Sequence, residues 1–309
     1  MTEPDEEPQA LRPLLFSIAY RMLGSVSDAE DVVQEAYLRH QRALADGTRV
    51  ESTRAYLSAV TTRLAIDHLR SARVRRESYV GQWLPEPLLT DGGEDDPAAH
   101  AEQSDSLSMA FLLVLERLNP VERAVFLLHD VFGYGYDEVA RIVGKSEANT
   151  RQLATRARRH LEESRRRFDA SRAEQRQLAE RFFAAVTGGD VDELVDMLAA
   201  DVVVYGDGGG KVPQWMRPIA GVEKVSRLLG AVGRQIRELG IRLELRQINS
   251  QPGAILRDPD GCITNVFVLD VADGAVQTIR SVINPDKLRH LGPVADVRAL
   301  ARRLRSQPQ

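Results

Sequence analysis

The chain has one cysteine, Cys262, in 309 residues, and only four lysines against 37 arginines. A lone thiol forms no intrachain disulfide, which excludes a disulfide-stapled secreted scaffold and points to a reducing compartment, the cytoplasm. No run of about 18 apolar residues occurs, so no membrane span is expected. The opening stretch MTEPDEEPQA is acidic and carries no apolar run, so it does not read as a secretory signal. The six histidines stand apart at 40, 68, 100, 129, 160 and 290, and no His/Cys/Asp group has metal-ligand spacing. No metal and no cofactor is therefore expected. A nucleotide loop is missing too. In YGDGGGKVPQW, 205–215, the G-x-x-x-x-G-K-[ST] pattern needs Gly where Tyr205 stands and Ser or Thr where Val212 stands.

What is present is segregated charge. Residues 63–76 hold five Arg against one Asp, and 151–167 hold seven Arg against two Glu. Residues 86–105 hold seven acids and no lysine or arginine. The formal net charge of −4 is thus a sum of basic faces joined by an acidic connector.

Periodicity divides the chain. In 1–77, Leu11, Leu14, Leu15, Ile18 and Met22 fall on one helical face, which Gly24 ends. SDAE, 27–30, reads as a capping box with Ser27 as cap and Glu30 reaching back. The helix it starts buries Val32, Val33, Ala36 and Tyr37 and shows Asp28, Asp31, Gln34 and Glu35. A third helix starts near Ser52 and ends in a basic patch. Residues 78–105 read as a linker. Its first half, VGQWLPEPLL, has apolar residues that want burial, and its second half is acidic and glycine-rich. In 106–167, Asn119 caps a helix with Pro120 at its first position, and two short helices break at Gly144 with Ser146 capping the second. That is helix-turn-helix spacing. Residues 172–290 run helices first and then strands with DPDG and ADG turns, an α+β domain. Residues 291–309 form a basic tail.

The start of the second short helix offers Ser146, Glu147, Asn149, Thr150, Arg151 and Gln152. Asn and Gln can pair adenine, Arg guanine, and Glu can accept from cytosine. Arg156 and Arg158 follow and suit phosphates. The plainer alternative is a solvated basic face.

SDAEDVVQEAYLRH, STRAYLSAVTTRLAIDHLRSARVRR and LNPVERAVFLLHDVFGYGYDEVARIVGKSEANTRQLATRARRHL, in that order, resemble the sigma-70 type factors of the extracytoplasmic-function (ECF) group. The third part resembles the SnoaL-like, NTF2-like cone, which one ECF subgroup carries together with three motifs: WLPEPL, DGGGK and NPDKL, here at 83–88, 207–211 and 284–288. The resemblance implies a multidomain fold: two all-α sigma domains, 1–77 and 106–167, followed by an α+β NTF2-like domain. It implies a function in promoter-specific transcription initiation, with RNA polymerase core (beta and beta-prime subunits) and promoter DNA as partners. No membrane and no separate anti-sigma factor is required.

By the same resemblance, Asp28, Asp31, Val32, Val33, Gln34 and Glu35 bind core polymerase. Thr61, Thr62, Arg63, Asp67, Arg70 and Arg73 line the −10 site, and the helix 146–158 reads the −35 element. That helix begins EANT where many relatives have small-Gly-Thr-Val. A regulatory contact is expected among Trp83, Leu84, Pro85, Asp207, Gly208, Gly209, Gly210, Lys211, Asn284, Pro285, Asp286, Lys287 and Leu288, with Lys211 and Lys287 pairing with Glu86 or the acidic run 91–96. The cone leaves three readings open: a protein-contacting regulator, a small-ligand sensor, or an enzyme using Tyr205, Asp207, Arg257 or Asn265.

Overall fold

A computed structural model describes residues 7–77, 79–91, 106–162 and 172–300, with side chains of 72–77, 162 and 172 left aside. The chain divides into two compact units, one built from residues 7–77 and 106–162, the other from 79–91 and 172–300. The apolar half of the expected linker thus belongs to the second unit.

The first unit is all helix. Helices α1 (Arg12–Leu23), α2 (Val26–Ala45) and α3 (Thr53–Glu77) pack on one another, and α4 (Met109–Leu115), α5 (Pro120–Phe126), α6 (Tyr136–Val143) and α7 (Glu147–Glu162) complete it. Gly24 and Gly144 end α1 and α6 in the left-handed region at φ 66°, where a side chain would be strained. Asn119 caps α5 in a full capping box with Glu122. For α2 the expected cap is corrected. Ser25, not Ser27, accepts from the Asp28 amide at 3.1 Å, and Glu30 pairs with Arg12 of α1 instead of reaching back.

The core of this unit is Leu15, Ile18, Met22, Leu57 and Leu69 with Leu112, Val125, Leu128, Ile142 and Leu153. Two arginines are buried in it, Arg21 at 1% and Arg123 at 2% exposure. Arg123 donates Nε and Nη2 to the Arg21 carbonyl at 3.1 and 2.9 Å, and Arg21 Nε donates to Ser106 at 2.9 Å. Buried charges persist only when their donors are matched, and here the matching joins α1 to α5.

The second unit begins with α8 (Arg172–Gly188) and α9 (Val191–Met197). Its strands are β1 (Leu198–Asp207), β2 (Ile219–Ala220), β3 (Arg242–Ile248), β4 (Gln251–Arg257), β5 (Ile263–Ala272) and β6 (Ala275–Val282), with α10 (Val222–Glu238) between β2 and β3. The sheet order is β2-β1-β6-β5-β4-β3, with β1 and β6 parallel and every other pair antiparallel. Asp273 and Gly274, both at positive φ, make the tight β5–β6 hairpin. One sheet face closes on α8, α9 and α10 around Phe182, Phe183, Leu229, Phe267 and Ile279, the α+β layering expected of the cone. Its apolar cavity, lined by Phe182, Phe183, Val186, Leu229, Val232, Ile236, Leu243 and Phe267, holds about 10 Å³, room for one water.

Candidate functional site

The outer face of α2 carries Asp31 and Gln34 exposed and Asp28 and Glu35 half-exposed. Arg39 hydrogen-bonds Glu35 at 2.8 Å and holds its carboxyl below the ordinary range. His68 of α3 lies 3.3 Å from Asp28. Val32 and Val33 are 5% and 2% exposed: the phase that exposes the acids turns both valines into the core, so neither offers its side chain for the polymerase contact that the resemblance implies.

In α3 the expected −10 residues split. Asp67 and Arg70 are exposed and pair at 3.2 Å. Thr61 and Thr62 are fully buried, so neither offers its side chain to a base, and Thr62 hydroxyl donates to the Ser58 carbonyl at 2.8 Å. Arg63 is exposed, yet it donates Nε to the Ile142 carbonyl at 2.8 Å and Nη2 to the Arg141 carbonyl at 2.9 Å. Those carbonyls end α6, the negative pole of a helix. Ser58 and Tyr134 hydroxyls meet at 2.8 Å beside it, both buried. The Arg73 side chain lies outside the described residues.

The helix-turn-helix is α6 and α7. Ser146 caps α7, accepting from Asn149 N at 3.3 Å. Glu147, Asn149, Arg151, Gln152 and Arg156 are exposed. Thr150 is fully buried and bonds back to the Ser146 carbonyl at 3.0 Å, so its expected base contact is corrected. Arg156 lies 3.8 Å from the buried Glu122. Arg158 is not a free phosphate hand. It pairs with Asp130 at 2.6 Å and donates to Tyr136 hydroxyl at 3.2 Å, and Asp130 raises its pKa further. Sequence reasoning passed over Asp130 and Tyr136, which precede the helix they serve.

The three short motifs meet at Asp207, which is fully buried at the end of β1. Its carboxylate accepts from Tyr79 hydroxyl at 2.6 Å, Leu84 N at 2.9 Å, Gly209 N at 3.1 Å and Lys287 Nζ at 2.7 Å. Its carbonyl accepts from Ile283 and Asn284 amides. Lys287 also donates to the Leu84 carbonyl and lies 4.5 Å from the Trp83 ring centre. Lys211 pairs with Asp286. Among the described residues the lysines thus pair with Asp207 and Asp286, where Glu86 and Asp91 were expected. The buried carboxylate at the strand end draws Lys287 inward, and Asp91 goes to Arg246 at 3.2 Å. Residues 92–96 lie outside the described residues.

Glycines 209 and 210 sit at φ 59° and 68°, and added Cβ atoms would lie 2.2 Å from Asn284 Nδ2 and 2.9 Å from Val80 Cβ. Gly208 is buried beside them, and Pro85 and Leu288 are buried. Pro285 opens a short turn over which Asn284 accepts from Asp286 N. Beyond the motifs, Leu88 exchanges hydrogen bonds with Asn249, and His290 meets the Pro87 carbonyl at 2.6 Å. Three of the four polar candidates of the cone have partners of their own: Arg257 with Glu244, Asn265 with Ser281, and Asp207 as above. Tyr205 is half-buried on β1.

Residues 9–75 match the family described as Sigma-70 region 2, and 108–161 match Sigma-70, region 4. The chain is 39% identical to the ECF RNA polymerase sigma factor SigJ of Mycobacterium tuberculosis, over 91% of this chain and 92% of that one. It is 32% identical to the probable ECF RNA polymerase sigma factor SigI of the same species, over 91% and 93%. The crystal structure of M. tuberculosis SigJ superposes with a TM-score of 0.72 at 36% identity, covering 93% of this chain and 98% of that one. Both sigma regions, in order and followed by the cone, place the chain among the ECF RNA polymerase sigma factors.

Proposed function

We propose that the chain binds the RNA polymerase core through the outer face of α2, directs it to promoters read by α3 and α7, and is modulated in cis by its second unit. The observation that carries this is the solvent face at the start of α7. There Glu147, Asn149, Arg151 and Gln152 stand ready for base edges on a helix-turn-helix of the region 4 family.

Promoter binding then demands a rearrangement. The −10 and −35 elements lie about 25 base pairs apart, roughly 85 Å of B-DNA at about 3.4 Å per pair. A compact body of about 150 residues has a radius of gyration of only ~15 Å. The packing of α3 against α6, with Arg63 on the α6 carbonyls and Ser58 on Tyr134, has to open before both elements are read at once. The second unit modulates by contact: Asp207 fastens the WLPEPL segment through the Leu84 amide.

The test is transcription in vitro with core polymerase on a genomic promoter library, using the full chain. Promoter-specific transcripts are expected, and their absence under every condition refutes the reading. Opening is measured by energy transfer between dyes on cysteines placed at Leu44 and Arg159 in a Cys262→Ser background. Transfer falls on promoter-bound holoenzyme; an unchanged value sinks the opening step.

A further inference from the structure

We infer that Tyr136 is a positioning residue for −35 recognition, the platform that fixes Arg151 in the attitude with which it reads a base. The inference rests on the proposal that α7 reads that element. Tyr136 opens α6 and belongs to none of the expected DNA-binding residues. One ring face is covered by His129, with centroids 3.8 Å apart and planes at 27°. His129 is itself fixed by its Nδ1 on the Tyr134 carbonyl at 2.8 Å. The other partner is the Arg151 guanidinium, whose Cζ lies 4.5 Å from the Tyr136 ring centre. The Tyr136 hydroxyl accepts from Arg158, which Asp130 holds in turn. One side chain from the first helix of the motif therefore touches two arginines of the second, two turns apart.

The chemistry favours a role in aim over a role in stability. Arg151 is 59% exposed, so it contributes little to the core. Glu147, one turn back, pairs with its Nη2. Ion pair and ring together constrain a long, flexible side chain from two directions. A planar guanidinium stacked on an aromatic ring loses less freedom when it then forms a bidentate bond to guanine. The ring holds the guanidinium from one side, and the Glu147 carboxylate holds its Nη2 from another. Arg158, held at Asp130 and the tyrosine hydroxyl, ties the ring's far edge to α7.

The experiment is selection by reconstituted holoenzyme from a promoter library randomised through the −35 element, read by sequencing. It is run with the wild-type chain, Arg151→Ala, Tyr136→Leu, Tyr136→Phe and the double variant Tyr136→Leu/Arg151→Ala. Arg151→Ala should flatten the preference at one position. Tyr136→Leu should weaken that same preference about fivefold, the scale of an exposed cation–π contact. Tyr136→Phe, which keeps the ring, should stay within about twofold of wild type. In the Arg151→Ala background the leucine should add nothing at that position, because its effect runs through the arginine. Three outcomes overturn the proposal: a Tyr136→Leu profile that keeps the Arg151-dependent preference, one that loses all positions alike, or additive costs in the double variant. If Arg151→Ala leaves every preference intact, Arg151 reads no base and the platform fails with it, while a wild-type chain that selects no −35 sequence at all overturns the base-reading role of α7 itself.

Discussion

Asp207 shows how much one carboxylate can organise. Four donors from three separate stretches converge on it, and one of them is the buried ammonium of Lys287. Removing one partner of a buried pair leaves an uncompensated charge, at a cost of about 3–5 kcal/mol. Lys287→Met should therefore lower the unfolding free energy by about 3 kcal/mol, and adding Asp207→Asn should restore part of it, as followed by urea denaturation. A loss under about 1 kcal/mol would mean that the pair is solvated. Tyr79 adds a pH dependence. Burial, then its hydrogen bond to Asp207, raises its pKa far above 10.0. Below pH 10 both folded and unfolded chains hold the proton, and the contribution is complete. Above it the unfolded chain ionises first, so stability falls as pH rises. Tyr79→Phe should flatten that alkaline decline in a pH series of denaturation midpoints. The lysines were legible as members of short motifs. Their partners were not, because the acid that takes Lys287 lies 80 residues away.

Helix boundaries were legible where one residue does the work: Gly24, Asn119, Gly144 and Ser146 stand where glycine or a capping side chain is needed. Ser25 was not, since Ser27 with Glu30 fits the capping box as well by spacing, and only Arg12 of another helix decides against it. The buried Thr61, Thr62 and Thr150 were misread for a related reason. Threonine suits both a helix interior and a polar face, and which side is covered depends on packing that periodicity alone does not supply. The turn after β1 allows a sharper test. Gly209 and Gly274 both sit at positive φ, but only Gly209 has neighbours an added methyl would strike. Gly274→Ala should cost about 1 kcal/mol of backbone strain. Gly209→Ala should cost at least ~2 kcal/mol more through steric overpacking, and should raise hydrogen exchange across 79–84 and 284–288 together. Equal exchange in both variants would show that the motif contact does not depend on the close approach.

At the scale of the molecule, the order of domains was readable from motif succession, and the division into two units was not. Residues 79–91 follow the first sigma region in sequence yet fold with the cone, because Asn249, Asp207 and the Gln247 carbonyl supply their hydrogen-bond partners. Within the first unit, Tyr134→Phe removes one buried hydrogen bond at the α3 packing, worth about 1 kcal/mol. It should shift the closed-to-open balance by about fivefold, seen as lower energy transfer between the Leu44 and Arg159 dyes, with unchanged helical content. The Arg63 contact behaves differently under selection. Its acceptors are the main-chain carbonyls of Arg141 and Ile142, which every amino acid carries. Replacing the exposed Arg141 side chain leaves in place what Arg63 holds, whereas Ile142 is itself part of the core. A genetic screen for constitutively active variants should therefore be lopsided: hits at Ser58 and Tyr134 on both sides of their bond, at Arg63 on its side alone, and silence at 141. Evolution faces the same asymmetry, since a latch that closes on backbone is erased from one end only.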